Sequence, residues 1–148
     1  MRIAVDTNIF SALLSGDEVA IVTMQTALEE AAAEGALVVS PAVYAELVAG
    51  RTPDAVDGFF SDKGIEVDWE MDREVWRTAG SRYGAYARDR RRRRGDIAPR
   101  RILADFLIGA HALHLARSLL TADAGIYGTY FPELRIVAPP GSPAGTGG

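Results

Sequence analysis

The chain has 148 residues, 48% hydrophobic and 24% charged, enough for a single domain with a substantial core. It contains no cysteine, which excludes disulfides, thiol catalysis and cysteine-bound zinc and suits a reducing, cytoplasmic setting. The net charge of −4 conceals a split: residues 88–101 hold eight arginines against Asp89 and Asp96, a local +6 that leaves −10 for the rest.

The run Ile3 to Asp6 predicts a short buried strand, too short in its apolar part for a signal peptide. A helix carrying Ile9, Phe10, Leu13 and Leu14 follows at once. A longer helix is expected from Asp17 to Glu34, with Ile21, Met24, Leu28 and Ala31 at helical spacing and Gly35 as its stop. Ala36–Val39 predicts a second buried strand. Ser40-Pro41 is an N-cap with proline at the first helical position, opening a helix that stops at Gly50. Thr52-Pro53-Asp54 repeats that start signal for a helix through Phe59 and Phe60. Ile65–Asp68 is a weak strand candidate.

From Met71 to Arg88 a helix is expected with Val75, Ala79, Tyr83 and Tyr86 inward, followed by the arginine run and a loop over 95–99. The stretch Ala104–Ala116 is apolar on most sides and predicts a buried helix. Ser118–Leu120 and Leu134–Val137 are the last strands. Residues 1–138 thus form one domain, and the Pro/Gly-rich tail 139–148 is expected to be disordered. No apolar stretch approaches the length of a membrane span. Short apolar strands alternating with helices predict an α/β fold: a three-layer sandwich whose mainly parallel sheet is covered on both faces. Such sheets bind ligands beyond the carboxyl ends of their strands, where Asp6 and Asp123 fall.

Four acids occupy positions where a soluble fold gains little from them. Asp6 ends an apolar strand, and Asp105 opens the apolar Phe106-Leu107-Ile108. Asp123 follows Leu119-Leu120-Thr121-Ala122. Glu46 has Ala42, Val43, Ala49 and Gly50 as its helical neighbours, with no cation among them. Singly, Asp6 and Asp105 read as helix caps and Asp123 as a turn residue. Together they read as a site, because stranded carboxylates are costly unless paired or bound to a cation. An all-oxygen set suits Mg²⁺, with Mn²⁺ as the alternative. His111 and His114, at i and i+3, could pair on zinc, but their apolar surroundings favour core or helix-face histidines.

Val5-Asp6-Thr7-Asn8-Ile9-Phe10, Ala45-Glu46-Leu47, Ala104-Asp105-Phe106-Leu107-Ile108-Gly109-Ala110-His111-Ala112 and Leu120-Thr121-Ala122-Asp123 together resemble the motifs of PIN-domain nucleases. The segment from Asp123 to Leu134 is similar to VapC-type toxins of toxin–antitoxin pairs, and the likeness covers residues 2 to 138. It implies a five-stranded parallel sheet and divalent-metal-dependent cleavage of RNA by a metal-activated water. It puts Asp6, Glu46, Asp105 and Asp123 on the family's acidic positions and Thr7, Asn8 and Thr121 on its accessory polar positions. Asp6, Asp105 and Asp123 would be the main metal ligands, with Glu46 orienting the water or holding a second ion. A homodimer and a cognate antitoxin are implied by the likeness alone. One departure is Gly125, where many relatives carry a further acid, so a second ion would be held weakly or only with RNA bound.

Beside such a site, Arg88, Arg90, Arg91, Arg92, Arg93 and Arg94 read as an RNA phosphate grip or as a dock for an acidic antitoxin segment. Two rival readings are a catalytically silent RNA- or protein-binding module and a phosphoryl-transfer domain. The first requires a lost acid; the second usually adds a positioned lysine, and Lys63 is the only lysine of the chain.

Overall fold

The apolar run after Met1 forms β1 (Arg2–Val5), which leads through Asp6 into α1 (Thr7–Leu13). The computed structural model describes residues 1–93 and 102–141. There follow α2 (Glu18–Glu34), β2 (Ala36–Val39), α3 (Pro41–Val48), α4 (Pro53–Lys63), β3 (Glu66–Val67) and α5 (Arg73–Arg92). After the undescribed stretch come α6 (Leu103–Leu115), β4 (Ser118–Leu120), α7 (Ala124–Tyr130) and β5 (Arg135–Val137). The five strands form one parallel sheet in the order β3-β2-β1-β4-β5.

Starts are written locally. Asp17, Ser40, Thr52 and Asp72 each cap a helix by accepting from a backbone N–H in its first turn, and proline follows Ser40 and Thr52. Gly64 ends α4 at φ 67°, the left-handed turn that glycine adopts without strain. Gly35 ends α2 for a different reason than the expected one. Its backbone is extended, and a Cβ there would lie 2.5 Å from the Met1 carbonyl oxygen. It is the close approach of β1 that requires the glycine.

Right-handed crossovers put α1–α4 on one face of the sheet and α5–α7 on the other. Most helix contacts follow that division, with α1 against α2 and α3 and with α5 against α6 and α7; the exception is α3, which also meets α6. Between the layers lie Ile3, Val5, Val39, Leu119 and Leu120 of the strands, Ile9, Phe10, Val43 and Leu47 from one side, and Phe106, Ala110, Tyr127 and Phe131 from the other. Gly109 lets the Phe131 ring lie directly on α6, since a Cβ there would meet that ring at 2.5 Å.

Two expectations change. The helix expected to end at Arg88 continues to Arg92, so Arg88, Arg90, Arg91 and Arg92 are its last turns and Arg93 its cap. Arginine is a good helix former and its charge is favourable at a helix C-terminus, so nothing in the run stops the helix. The segment after Asp123, for which the sequence predicts no element, forms α7, with Asp123 at its N-cap position. Arg94, the expected loop 95–99 and residues 142–148 of the tail lie outside the described residues.

Candidate functional site

The chain leaves β1 toward one edge of the sheet and β4 toward the other, so the crevice beyond their adjacent carboxyl ends is the topological switch point. Asp6 stands there. Its backbone N–H donates to Leu120 O at 3.0 Å, continuing the ladder one residue past the strand. Its side chain is 5% exposed and is held by neutral donors. Thr7 N–H donates to Oδ1 at 2.7 Å, and the Thr121 hydroxyl donates to Oδ2 at 2.8 Å. Asn8 Nδ2 lies 3.4 Å from the same Oδ2.

Asn8 joins the two halves of the crevice. Its Oδ1 accepts from Ala122 N–H at 3.2 Å, while Nδ2 donates to Thr121 Oγ1 at 3.3 Å. Thr121, fully buried, also accepts from Asp123 N–H at 3.0 Å, which fixes the start of α7. The Thr7 hydroxyl reaches across to α3 and donates to Glu46 Oε1 at 2.7 Å. Asp105, in the first turn of α6, accepts from Ile102 N–H through Oδ2 at 3.2 Å. The four acids thus come from the end of β1, α3, α6 and the β4–α7 junction, with Thr7, Asn8 and Thr121 as the struts between Asp6, Glu46 and the start of α7.

Electrostatics ties these groups together. Burial pushes the Asp6 carboxyl up to about 6; hydrogen bonds from Thr121 and Thr7 and the nearby Tyr127 hydroxyl pull it down, and the charge of Asp105 adds to the rise. Tyr127 is the residue that sequence reasoning missed. It is 1% exposed, and burial first, then the charges of Asp6, Asp105 and Asp123, push its hydroxyl well above the ordinary value. That hydroxyl lies near enough to Asp6 to favour its ionised form, but out of hydrogen-bonding geometry, so the bond that would lower the Asp6 carboxyl further is not made. The one available signal was its place four residues after Asp123, on the same face of α7.

A family model of the PIN domain matches residues 3–132. The chain belongs to the PIN domain family. Among solved structures its fold is similar to VapBC2 from Rickettsia felis bound to a promoter DNA fragment: TM-score 0.66, 20% identity, covering 94% of this chain and 99% of that one. VapBC-1 from nontypeable Haemophilus influenzae gives TM-score 0.62 at 20% identity, covering 93% and 98%. FitAB bound to an IR36 DNA fragment gives 0.55 at 19%, covering 92% and 94%. No curated protein matches. At these identities the likeness is one of fold.

In this PIN domain the donor set around the crevice is all oxygen and mostly carboxylate, the chemistry of a hard divalent cation, and the orphaned Tyr127 hydroxyl adds a polar atom at its base. Among the described residues no three acids or histidines yet stand close enough to hold an ion. The histidines of α6 turn elsewhere. His111, 1% exposed, donates from Nε2 to Asp68 Oδ2 at 2.8 Å, while His114 Nε2 pairs with Thr78 Oγ1 at 2.8 Å. With separate partners they are a core and a helix-face histidine. Arg82, not singled out by the sequence, clamps α5 to the end of α7: it donates to Tyr130 O at 2.7 Å and to both Glu133 oxygens at 3.0 and 2.9 Å.

Proposed function

We propose that this PIN domain is a divalent-metal-dependent endoribonuclease and the toxin of a toxin–antitoxin pair. The observation that carries the reading is Asp6, a carboxylate buried at the switch point of the sheet, without a cationic partner among the described residues and affected by the charge of Asp105. Asp6, Asp105 and Asp123 would hold the ion, with Mg²⁺ first and Mn²⁺ second. A bound ion of this kind lowers the pKa of a coordinated water and stabilises charge on phosphoryl oxygens.

The chain's own part is positioning. Thr121 and Asn8 lock Asp6 and the start of α7 into one frame, so that Asp6 and Asp123 share one side of the crevice. Thr7 aims Glu46 into it from α3, which suits Glu46 to orient the attacking water. Asp6 must be ionised to serve, so ion affinity falls as pH drops through about 6. Arg88, Arg90, Arg91, Arg92 and Arg93 extend from the last turns of α5 as a phosphate grip. An acidic antitoxin segment is the alternative ligand for the same guanidinium groups. The VapBC and FitAB likeness supports an antitoxin partner. A homodimer rests on the family resemblance. No helix among the described residues is long and apolar enough to cross a membrane, and the proposed setting is the cytoplasm.

The test is cleavage of total cellular RNA by the purified chain with Mg²⁺, with EDTA, and with Asp6→Asn. Discrete fragments that require both the metal and Asp6 are expected. Intact RNA under every condition, from folded protein free of antitoxin, would replace this reading with a silent binding module.

A further inference from the structure

A cleft of about 330 Å³ opens along the C-terminal half of α5, lined by Tyr83, Tyr86, Ala87, Arg90 and Arg91. Its volume is at the lower end of the roughly 300–1,000 Å³ of small-molecule sites. These residues fall at i, i+3, i+4, i+7 and i+8, one face of the helix; no carboxylate is among the described residues that line it, and Arg90 Nη1 donates to the Tyr86 hydroxyl at 3.5 Å. The one acid within the arginine run, Asp89, is turned away and accepts from the Tyr130 hydroxyl at 2.8 Å.

The two tyrosine rings are held as a platform. Tyr83 and Tyr86 lie 6.2 Å apart at 29° to each other. Both rest on the buried Phe106 ring, at 5.3 and 5.4 Å, and Tyr130 meets Tyr86 edge-on at 5.6 Å. Phe106, which backs both rings, directly follows Asp105 on α6. Rigid rings backed by a core and flanked by guanidinium groups are the chemistry that receives an unpaired base with its phosphate.

We infer that this cleft is a nucleobase-stacking subsite for single-stranded RNA: Tyr83 and Tyr86 receive an unstacked base, and Arg90 and Arg91 hold an adjoining phosphate. The inference rests on the ribonuclease reading and adds to it that the substrate is unpaired where it meets α5. A paired base is already stacked within its duplex and cannot enter.

The test is fluorescence anisotropy of a labelled single-stranded RNA with the full chain in EDTA, so that binding is read apart from cleavage. The same strand carrying abasic nucleotides and a blunt duplex serve as comparison ligands. Wild-type protein is expected to bind the intact strand at least about fivefold more tightly than the abasic one, the lower end of what base–aromatic stacking supplies. Tyr83→Leu/Tyr86→Leu, which keeps apolar bulk against Phe106, removes that difference, and Tyr83→Phe/Tyr86→Phe keeps it. Arg90→Gln/Arg91→Gln weakens both strands alike.

Equal affinity of wild-type protein for intact and abasic strands overturns the subsite, whether or not the leucine variant folds. An unchanged affinity in a folded leucine variant overturns it as well and leaves the cleft to an acidic protein segment. Where either occurs in a chain that still cuts RNA, the subsite alone fails. A chain that neither binds nor cuts RNA removes both readings.

Discussion

Asp6→Asn is expected to make the metal-free protein more stable at neutral pH, and the size of the gain follows from the site. The Asp6 carboxyl is raised from 3.8 to about 6, chiefly by burial. Each unit corresponds to about 1.4 kcal/mol, so ionising Asp6 inside the fold costs about 3 kcal/mol relative to the unfolded chain. Because the folded value lies above the unfolded one, this contribution to stability is fully present below pH 3.8 and is lost as pH rises through about 6. An amide never ionises and escapes that loss. It brings one conflict: Thr121 Oγ1 donates to Asp6 Oδ2 while already accepting from Asn8 and from Asp123 N–H, so an NH₂ group there meets a hydroxyl with no lone pair to spare. That mismatch costs about 1 kcal/mol. The net gain is about 2 kcal/mol at pH 7.5 and vanishes at about pH 4.5, below which the variant becomes the less stable of the two. Urea unfolding in EDTA across pH 4–8, with the slope checked for constancy, reads the difference directly. Adding Mg²⁺ should then stabilise the wild type and leave the variant unmoved. A variant less stable at pH 7.5, or a difference that does not change with pH, would refute the placement of an uncompensated carboxylate at the switch point.

Alanine at Arg88, Arg92 and Arg93 together is expected to lower RNA affinity more than the rate at saturating RNA. The log–log salt slope should fall by about 0.7 per lost phosphate contact; an unchanged slope assigns these arginines to another partner. Gly109→Ala drives a Cβ into the Phe131 ring, which is 1% exposed and enclosed, and is expected to destabilise by about 1–2 kcal/mol in the same urea assay despite alanine's better helix propensity. Gly125→Asp puts an acid in the first turn of α7, two residues past Asp123, where a Cβ meets no atom within 4 Å. It should tighten Mn²⁺ binding severalfold by calorimetry, and unchanged affinity would show that position 125 does not reach the site.

What could be read from the chain, and what could not, divides by distance along it. Strands β1, β2 and β4 were legible because each carries a run of consecutive buried apolar residues, as a parallel sheet covered on both faces requires, whereas β3, two residues beginning with exposed Glu66, left only a weak mark. The acids were legible because each interrupts such a pattern, and the struts Thr7 and Asn8 are their immediate neighbours. Helix α7 was hidden by its composition: Gly125, Gly128 and Thr129 are weak helix formers, and only packing of Ile126 and Tyr127 into the core makes the segment helical. With α7 unread, the Tyr127 hydroxyl could not be placed. The Arg82 clamp spans 48 to 51 residues and leaves no local mark. The extension of α5 was readable in principle, since arginine favours helix, but a block of like charge reads more readily as a solvated segment.

The energetics of Asp6 also bear on which function the fold serves. A carboxylate that only capped α1 would sit in water and cost nothing, whereas this one is buried, and its hydrogen bonds offset only part of the desolvation. A silent binding module gains nothing from that arrangement, because an asparagine would hold Thr7 N–H equally well. A cation changes the balance: a ligand present at 100 times its Kd adds about 2.7 kcal/mol to the folded state, close to the roughly 3 kcal/mol that ionised Asp6 removes. On the proposed reading, a divalent ion at that excess would offset what ionised Asp6 costs. Stability that depends on the ion in this way is the expected mark of a metal-using PIN domain, and wild-type protein equally stable in Mg²⁺ and in EDTA at pH 7.5 would count against it.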